Sequence, residues 1–311
     1  MTDDAPIART GPGPPLVTGS PAAGAGAENG RGRTWPLAVT VGAAAAAIGW
    51  FHMPAGVTGW LYAEDGVLFV GDWIGPGANV SVLWTPYAGY QHLIPRITTG
   101  LITGFLPVAW WGVAVNMVAC LMVGGIAALV FVLSRDVIAF VPSRVMLGLI
   151  TTLVPLVAVE AIGNLANLHW FLLYLTPWLL LATPRSALGS WVLAAVAMLT
   201  TLTEPQCAVF LPLAIARLTP WKVFPRAGRP VIWAWLIGVT AQLITTVLAP
   251  RPVSAGFPPV ASAVQGYVLN AGMSLSTVNT ELLGRVLTHV GWWIGFVGVA
   301  AIFTLAGLAF G

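Results

Sequence analysis

The densest group of chemically capable side chains is WLYAEDGVLFVGDW (60–73), where Glu64 and Asp65 are adjacent among aromatics and Gly66 allows a turn. Side-by-side carboxylates raise each other's proton affinity, and partial desolvation beside an apolar run adds to that effect. Such a pair suits one carboxylate for proton abstraction, or two for holding a divalent cation. The plainer alternative is a loop whose acids keep it in water. A second group, WTPYAGYQHLIPRI (84–97), offers the rings and hydroxyls of Tyr87, Tyr90 and His92, which fit sugar or headgroup contacts. Arg96 follows; its guanidinium matches a phosphate with two parallel hydrogen bonds, and equally serves as an interfacial anchor. A third group, VEAIGNLANLHWFLLYL (159–175), carries Glu160, Asn164, Asn167 and His169. A carboxylate inside a membrane span is costly, and near a helix end that penalty shrinks. Capping and a short polar turn account for the two asparagines, and an interfacial position accounts for the histidine. In the fourth group, TLTEPQCAV (201–209), Glu204 precedes Pro205, a residue suited to a first helical turn. Glu204 either faces the same aqueous space as the first-loop acids or complements the helix N-terminus, and the second is the stronger reading.

These groups need elements to hold them, and composition says which. Of 311 residues, 58% are apolar and 7% charged, against about a quarter charged in a soluble domain, so the chain reads as all-α and polytopic in a membrane. Thirteen basic and ten acidic residues give a net charge of +3, too sparse for a nucleic-acid footprint. Lys222 is the single lysine, and with 35 glycines and many alanines this hints at a high-GC bacterial source. Cys120 and Cys207 lie in apolar segments and lack metal-ligand spacing. Residues 1–34, rich in Pro, Gly, Ala and Ser, read as a disordered cytoplasmic tail, too long and polar for a signal-peptide n-region. The remainder, 35–311, reads as one transmembrane domain. A helix needs about 20 apolar residues to cross the hydrocarbon core. By that measure about eight spans are expected, near 35–52, 108–133, 145–161, 168–182, 187–203, 206–218, 230–249 and 289–310. Several are short, so they should line a cavity or meet a locally thinned bilayer.

A cytoplasmic N-terminus places Arg9, Arg31, Arg33, Arg135, Arg144, Arg185, Arg217, Lys222, Arg226 and Arg229 inside, and only Arg96, Arg251 and Arg285 outside, which obeys the positive-inside rule. Two long extracytoplasmic loops follow, about 53–107 and 250–288. The first contains QHLIPRITTGLITGFLP (91–107), too short to cross and bounded by Pro95 and Pro107, hence an interfacial or re-entrant helix. Asn79-Val80-Ser81 has the form of a glycosylation acceptor, a tripeptide that arises often by chance. There is no Walker loop, Gly-rich dinucleotide fingerprint, zinc spacing or serine elbow. ATP-driven transport and nicotinamide chemistry are disfavoured accordingly.

The order of these features (tail, span, large loop opening on an acidic pair, bundle of short spans) resembles the GT-C superfamily of integral-membrane glycosyltransferases. Within it, YAEDGVLF, PYAGYQHLIPRI, GNLANLHWFLLYL and LTEPQCAVFLPLAI look like a family of actinobacterial GT-C-like proteins, over about residues 35–220. The resemblance implies a polyprenyl-phosphate-linked sugar as donor and a cell-envelope glycan, lipid or protein as acceptor. It also implies a first-loop general base at Asp65 or Glu64, with Asp65 preferred. Arg96 would then neutralise the departing phosphate, and the lipid tail would lie between spans. Substrate contacts are expected from His92, Tyr87, Tyr90, Glu160, Asn167, His169 and Glu204. No particular cofactor is implied; the acidic pair can serve as the base or as part of a divalent-cation site, and the sequence leaves the two open. Family members commonly continue with further spans, whereas this sequence stops in the apolar run AIFTLAGLAFG, which suggests a C-terminal truncation. The competing expectations are a flippase or transporter of a lipid-linked sugar and a non-catalytic membrane partner.

Overall fold

A computed structural model describes residues 25–54, 56–154, 161–218, 228–249 and 259–262, with isolated positions 285, 289, 297, 300 and 304. The chain divides into two compact units, Met1–Leu37 and Ala38–Gly311. In the first, the helical backbone is described from residue 25 and side chains from residue 34; the rest of this section concerns the second. Among the described residues the chain is helical and forms no strand, only an isolated bridge between Tyr87 and Tyr90.

The helices are α1 (Ala25–His52), α2 (Gly71–Ile74), α3 (Leu93–Phe105), α4 (Trp111–Leu133), α5 (Val141–Leu153), α6 (Leu168–Leu181), α7 (Ala187–Thr201), α8 (Leu211–Leu218) and α9 (Arg229–Leu248). Three stretches are long and apolar enough to cross a membrane: Thr34–His52, Val108–Asp136 and Arg229–Leu248. A fourth is reached if α7 and the Pro205–Leu218 segment, bent by 120° across a short break, count as one. The expectation of about eight spans is therefore shown only in this coarser form. The described part of 145–161 belongs to α5 and 168–182 becomes α6, helices of 13 and 14 residues, each about 20 Å long, while 155–160 lie outside the described residues. The expected span at 289–310 and the loop at 250–288 lie outside the described residues apart from a few positions. The helix α1 begins at Ala25, inside the segment read as a disordered tail.

Small residues set the closest approaches. A Cβ on Gly42 would stand 2.9 Å from the Gly124 carbonyl oxygen, and one on Gly124 would stand 2.9 Å from the Ala46 Cβ, so α1 and α4 meet nearly backbone to backbone. Close helix approach of this kind relies on small side chains, as in membrane bundles generally. The apolar core joins α4, α6, α7 and α9 through Val123, Val130, Phe171, Leu175, Ala197 and Trp235. Because α4 and α6 are apolar on all sides, both can be surrounded by other helices, the pattern of a buried rather than a surface helix.

Candidate functional site

The first loop turns sharply where its acids lie. Ala63 has φ +30°, an uncommon left-handed value for a residue with a side chain, and it immediately precedes Glu64. A π-helical stretch, Asp65–Val70, then leads into α2. Single π-turns mark functional positions often enough to draw notice. The result separates two adjacent carboxylates. Asp65 is fully buried, and its two oxygens accept from the backbone N–H groups of Leu165 (2.9 Å) and Ala166 (2.8 Å). Glu64 stays partly exposed and accepts from the Tyr87 hydroxyl at 3.2 Å.

Burial pushes the Asp65 carboxyl up to about 7, against the lowering effect of its two amide donors and with a smaller push from Glu64. Burial, and then the neighbouring Glu64, raises the Tyr87 phenol above its ordinary value. Tyr87 therefore stays protonated near neutral pH and can donate to Glu64.

The tyrosine pair is fixed by its backbone. Tyr87 and Tyr90 exchange N–H···O bonds of 2.8 and 3.0 Å around Ala88 (φ +47°) and Gly89 (φ +86°). Two central residues at positive φ make a type I′ turn, for which Gly at the second position is well suited. This turn delivers His92 to the head of α3. His92 is fully buried, stacks on Phe69 with ring centroids 5.2 Å apart, and donates from Nε2 to the Ala166 carbonyl at 3.0 Å. Its Nδ1 is buried with no hydrogen-bond partner among the described residues. Burial, chiefly, holds the imidazole down to about 3, so it is neutral.

His92 and Asp65 thus grip the same residue, Ala166, from its carbonyl and amide sides. Asn164 accepts from the Asn167 amide at 2.8 Å within that loop. Two residues beyond Asn167, His169 lies in the first turn of α6 and is paired through Nδ1 with the Glu204 carboxylate. Glu204 is 1% exposed and also caps the turn after Pro205 by accepting from the Gln206 amide. The His92 and His169 rings stand 5.6 Å apart.

Arg96 has a different setting from the one its position suggested. It is 2% exposed, bonded through Nη1 to Asp72 at 2.6 Å, and lies 5.5 Å from the Phe69 ring centre. Its charge is already matched by Asp72. Glu160 lies outside the described residues. Of the remaining sequence-selected positions, Glu64, Asp65, Tyr87, Tyr90, His92, His169 and Glu204 are joined by the bonds and ring contacts just described, and Asn167 stands at the N-terminus of α6.

Three positioning residues escaped the sequence reading. Asn116, in the second turn of α4, accepts from the Gly59 amide (2.7 Å) and donates to the carbonyls of Gly163 (2.6 Å) and Trp60 (3.3 Å). It ties both ends of the site to one helix. Gln242 of α9 and Gln91 hold each other through 2.8 and 2.9 Å bonds between side chain and backbone. Inner polar residues on apolar helices were the available signal, since such groups are bonded when buried. Asn116→Leu keeps volume but leaves three backbone groups short of a partner. We expect a loss of about 2–4 kcal/mol, read as a lowered thermal midpoint in detergent. A midpoint equal to wild type would mean that water replaces the amide.

An apolar cavity of about 500 Å³ lies among α3, α4, α6 and α7. Ile94 and Thr98 of α3, Ile126 of α4, Leu168 and Leu172 of α6, and Leu199 of α7 are among its walls. Ile94 and Leu168 belong to the first turns of α3 and α6. Among the described residues no three His, Cys, Asp or Glu side chains are grouped to hold a metal ion.

No protein-family model, curated protein or solved structure matches the chain.

Proposed function

We propose that this chain is a GT-C-like integral-membrane glycosyltransferase, moving a sugar from a polyprenyl-phosphate donor to an envelope glycan, lipid or protein, with Glu64 as general base. In this reading the chain crosses the membrane several times, its N-terminus is cytoplasmic, and the Glu64 face is extracytoplasmic, in keeping with the distribution of basic residues. The observation that carries the reading is the division of labour between adjacent acids. Asp65 is sealed and bonded at both oxygens, which suits positioning, while Glu64 keeps an accessible carboxylate beside a tyrosine hydroxyl.

The chemistry needs few parts. Glu64 takes the proton of the acceptor hydroxyl as that oxygen attacks the anomeric carbon. The carbon–oxygen bond to phosphate breaks, and its electron pair leaves on the lipid phosphate, a stable anion. A single displacement inverts the anomeric centre. The test is transfer by membranes holding this chain, supplied with a panel of radiolabelled polyprenyl-phosphate sugars, with and without chelator. We expect transfer from one donor, lost in Glu64→Gln; the chelator arm reports on a divalent cation. No transfer from any donor by an inserted, folded chain would overturn the reading.

A second reading, a flippase for a lipid-linked sugar, draws support from one feature. The α7 helix and the Pro205–Leu218 segment meet at 120°, with Glu204 at the break. Discontinuous helices of this type build binding sites in transporters. Movement of labelled lipid across liposomes without transfer, unchanged in Glu64→Gln, would favour it.

A further inference from the structure

We propose that the arginines gathered around Asp136 dock the headgroup of an anionic diacyl phospholipid, at the end of the bundle opposite the first loop. The inference goes beyond the proposed transfer reaction and does not depend on it.

The site is assembled from the ends of four helices. Asp136 follows α4, and its Oδ2 accepts from the Thr183 amide (3.0 Å) and hydroxyl (2.6 Å) just after α6. Its Oδ1 faces Arg135 at 3.8 Å and Arg185 at 3.5 Å. Arg217, buried at the end of α8, donates to the Ala182 carbonyl beside Thr183 at 2.9 Å. A Cβ on Gly228 would stand 2.9 Å from Nη2 of Arg217, so Arg229, the exposed first residue of α9, begins at the same place. Arg144 comes in from α5, its guanidinium 4.7 Å from the centre of the Phe131 ring, which lies one turn before Arg135 on α4.

Charge and position then select the ligand. Arg135, Arg185, Arg217 and Arg229 share the Asp136 carboxylate, which leaves an excess of three positive charges. The other four acidic side chains among the described residues, Glu64, Asp65, Asp72 and Glu204, stand at the first-loop end. Asn116, near the start of α4, holds the first loop, and Arg135 follows the end of that helix about 30 Å further on. That separation matches the hydrocarbon core of a bilayer, so the arginines reach the opposite headgroup layer. Exposed apolar side chains lie within two turns of them along the chain: Phe140 before α5, Leu188 and Trp191 at the start of α7, and Trp233 one turn into α9. An anion joined to apolar chains uses both kinds of surface, whereas a free phosphate uses the cations alone. Basic pockets between spans hold anionic lipid headgroups by this chemistry. Arginines that served only to orient the chain would need no brace. Here Thr183 fixes Asp136 and Asp136 holds Arg185, which lowers the ordering cost of binding.

The test uses purified full-length protein in phosphatidylcholine nanodiscs, with trace spin-labelled phosphatidylglycerol or phosphatidylcholine as probe. We expect phosphatidylglycerol to associate about fivefold more strongly at low salt, the scale of one arginine's attraction to an anionic surface. Arg185→Gln together with Arg229→Gln brings the preference to within about twofold. Both side chains are exposed, and Asp136 keeps Thr183 and Arg135, so the thermal midpoint should stay near that of wild type. Arg185→Lys together with Arg229→Lys retains the preference, because the charge remains. Equal association of the two lipids with wild type overturns the proposal, as does an undiminished preference in the glutamine pair. So does a preference that persists in about 1 M salt, where screening acts within ~3 Å. Displacement of the labelled lipid by glycerol 3-phosphate at equal concentration overturns the lipid as ligand and assigns the arginines to a soluble phosphate.

Discussion

His92→Gln makes the folded chain lose stability as pH rises from about 4 to about 7, whereas Asp65→Asn makes it gain stability from about 4 to about 6.5. The two slopes have opposite signs because burial acts oppositely on an acid and a base. Asp65 titrates near 7 in the fold, against 3.8 in an unfolded chain, so between those values the native state carries one proton more. Its contribution is whole at low pH and is lost as pH rises through 7. His92 titrates near 3 in the fold and 6.5 unfolded, so between those values the native state carries one proton fewer. Its contribution is whole above 6.5 and is lost as pH falls toward 3. In wild type the two proton counts cancel between 3.8 and 6.5, and these residues produce no slope there. Removing either unmasks the other, at about 1.4 kcal/mol per pH unit. Both side chains are fully buried, so solvent does not screen the effect. Gln at 92 can still donate to the Ala166 carbonyl, and Asn at 65 can still accept one of two amides. Each substitution thus lowers stability overall without adding a titration. Thermal midpoints between pH 4 and 8 in detergent decide the matter; a His92→Gln profile as flat as wild type would mean that Asp65 is ionised throughout.

Much of the site was legible because its residues are polar in an apolar chain. The groups at 60–73, 84–97, 159–175 and 201–209 stand out by composition alone, and three of them meet around Ala166 and Glu204 with the described part of the fourth. What composition could not do was separate neighbours. Glu64 and Asp65 have the same charge, and only the turn at Ala63 and the π-helical stretch send one inward. Arg96 reads as a free cation because Asp72 lies 24 positions away, and a salt bridge between an α3 residue and an α2 residue has no helical spacing to announce it. Span count is shown only in its coarser form, three or four among the described residues. Hydropathy measures apolar length, and α6 is apolar because it is packed among other helices, whatever its reach. The break before Pro205 was visible as a helix stop, but the 120° turn it permits depends on Glu204 capping the next turn and on Thr203, whose hydroxyl accepts from the Ile94 amide at 3.1 Å.

Glu64→Gln should lower transfer by about 10²–10⁴-fold while leaving donor affinity unchanged, the range expected when a positioned base is removed from a proton transfer. Gln keeps the length of the side chain and can still accept from Tyr87, so loss of the bond between them does not explain the result. Tyr87→Phe removes only that 3.2 Å bond and should cost roughly five- to tenfold, the scale of one hydrogen bond of about 1 kcal/mol or slightly more. Asp65→Asn acts through position. It weakens the hold on Leu165 and Ala166, and through Ala166 the seat of His92, so donor binding and turnover should fall together. The contrast between variants carries the inference, since each acid alone would satisfy a simple loss-of-activity test. A base lost at Glu64 appears in turnover with binding preserved, whereas a brace lost at Asp65 appears in both and in the thermal midpoint. Should Asp65→Asn abolish turnover with binding and stability intact while Glu64→Gln stays active, the roles of the two carboxylates are reversed. The loop would then have to open and expose Asp65 before chemistry, because a carboxylate bonded to two amides and shut off from water cannot reach an acceptor hydroxyl.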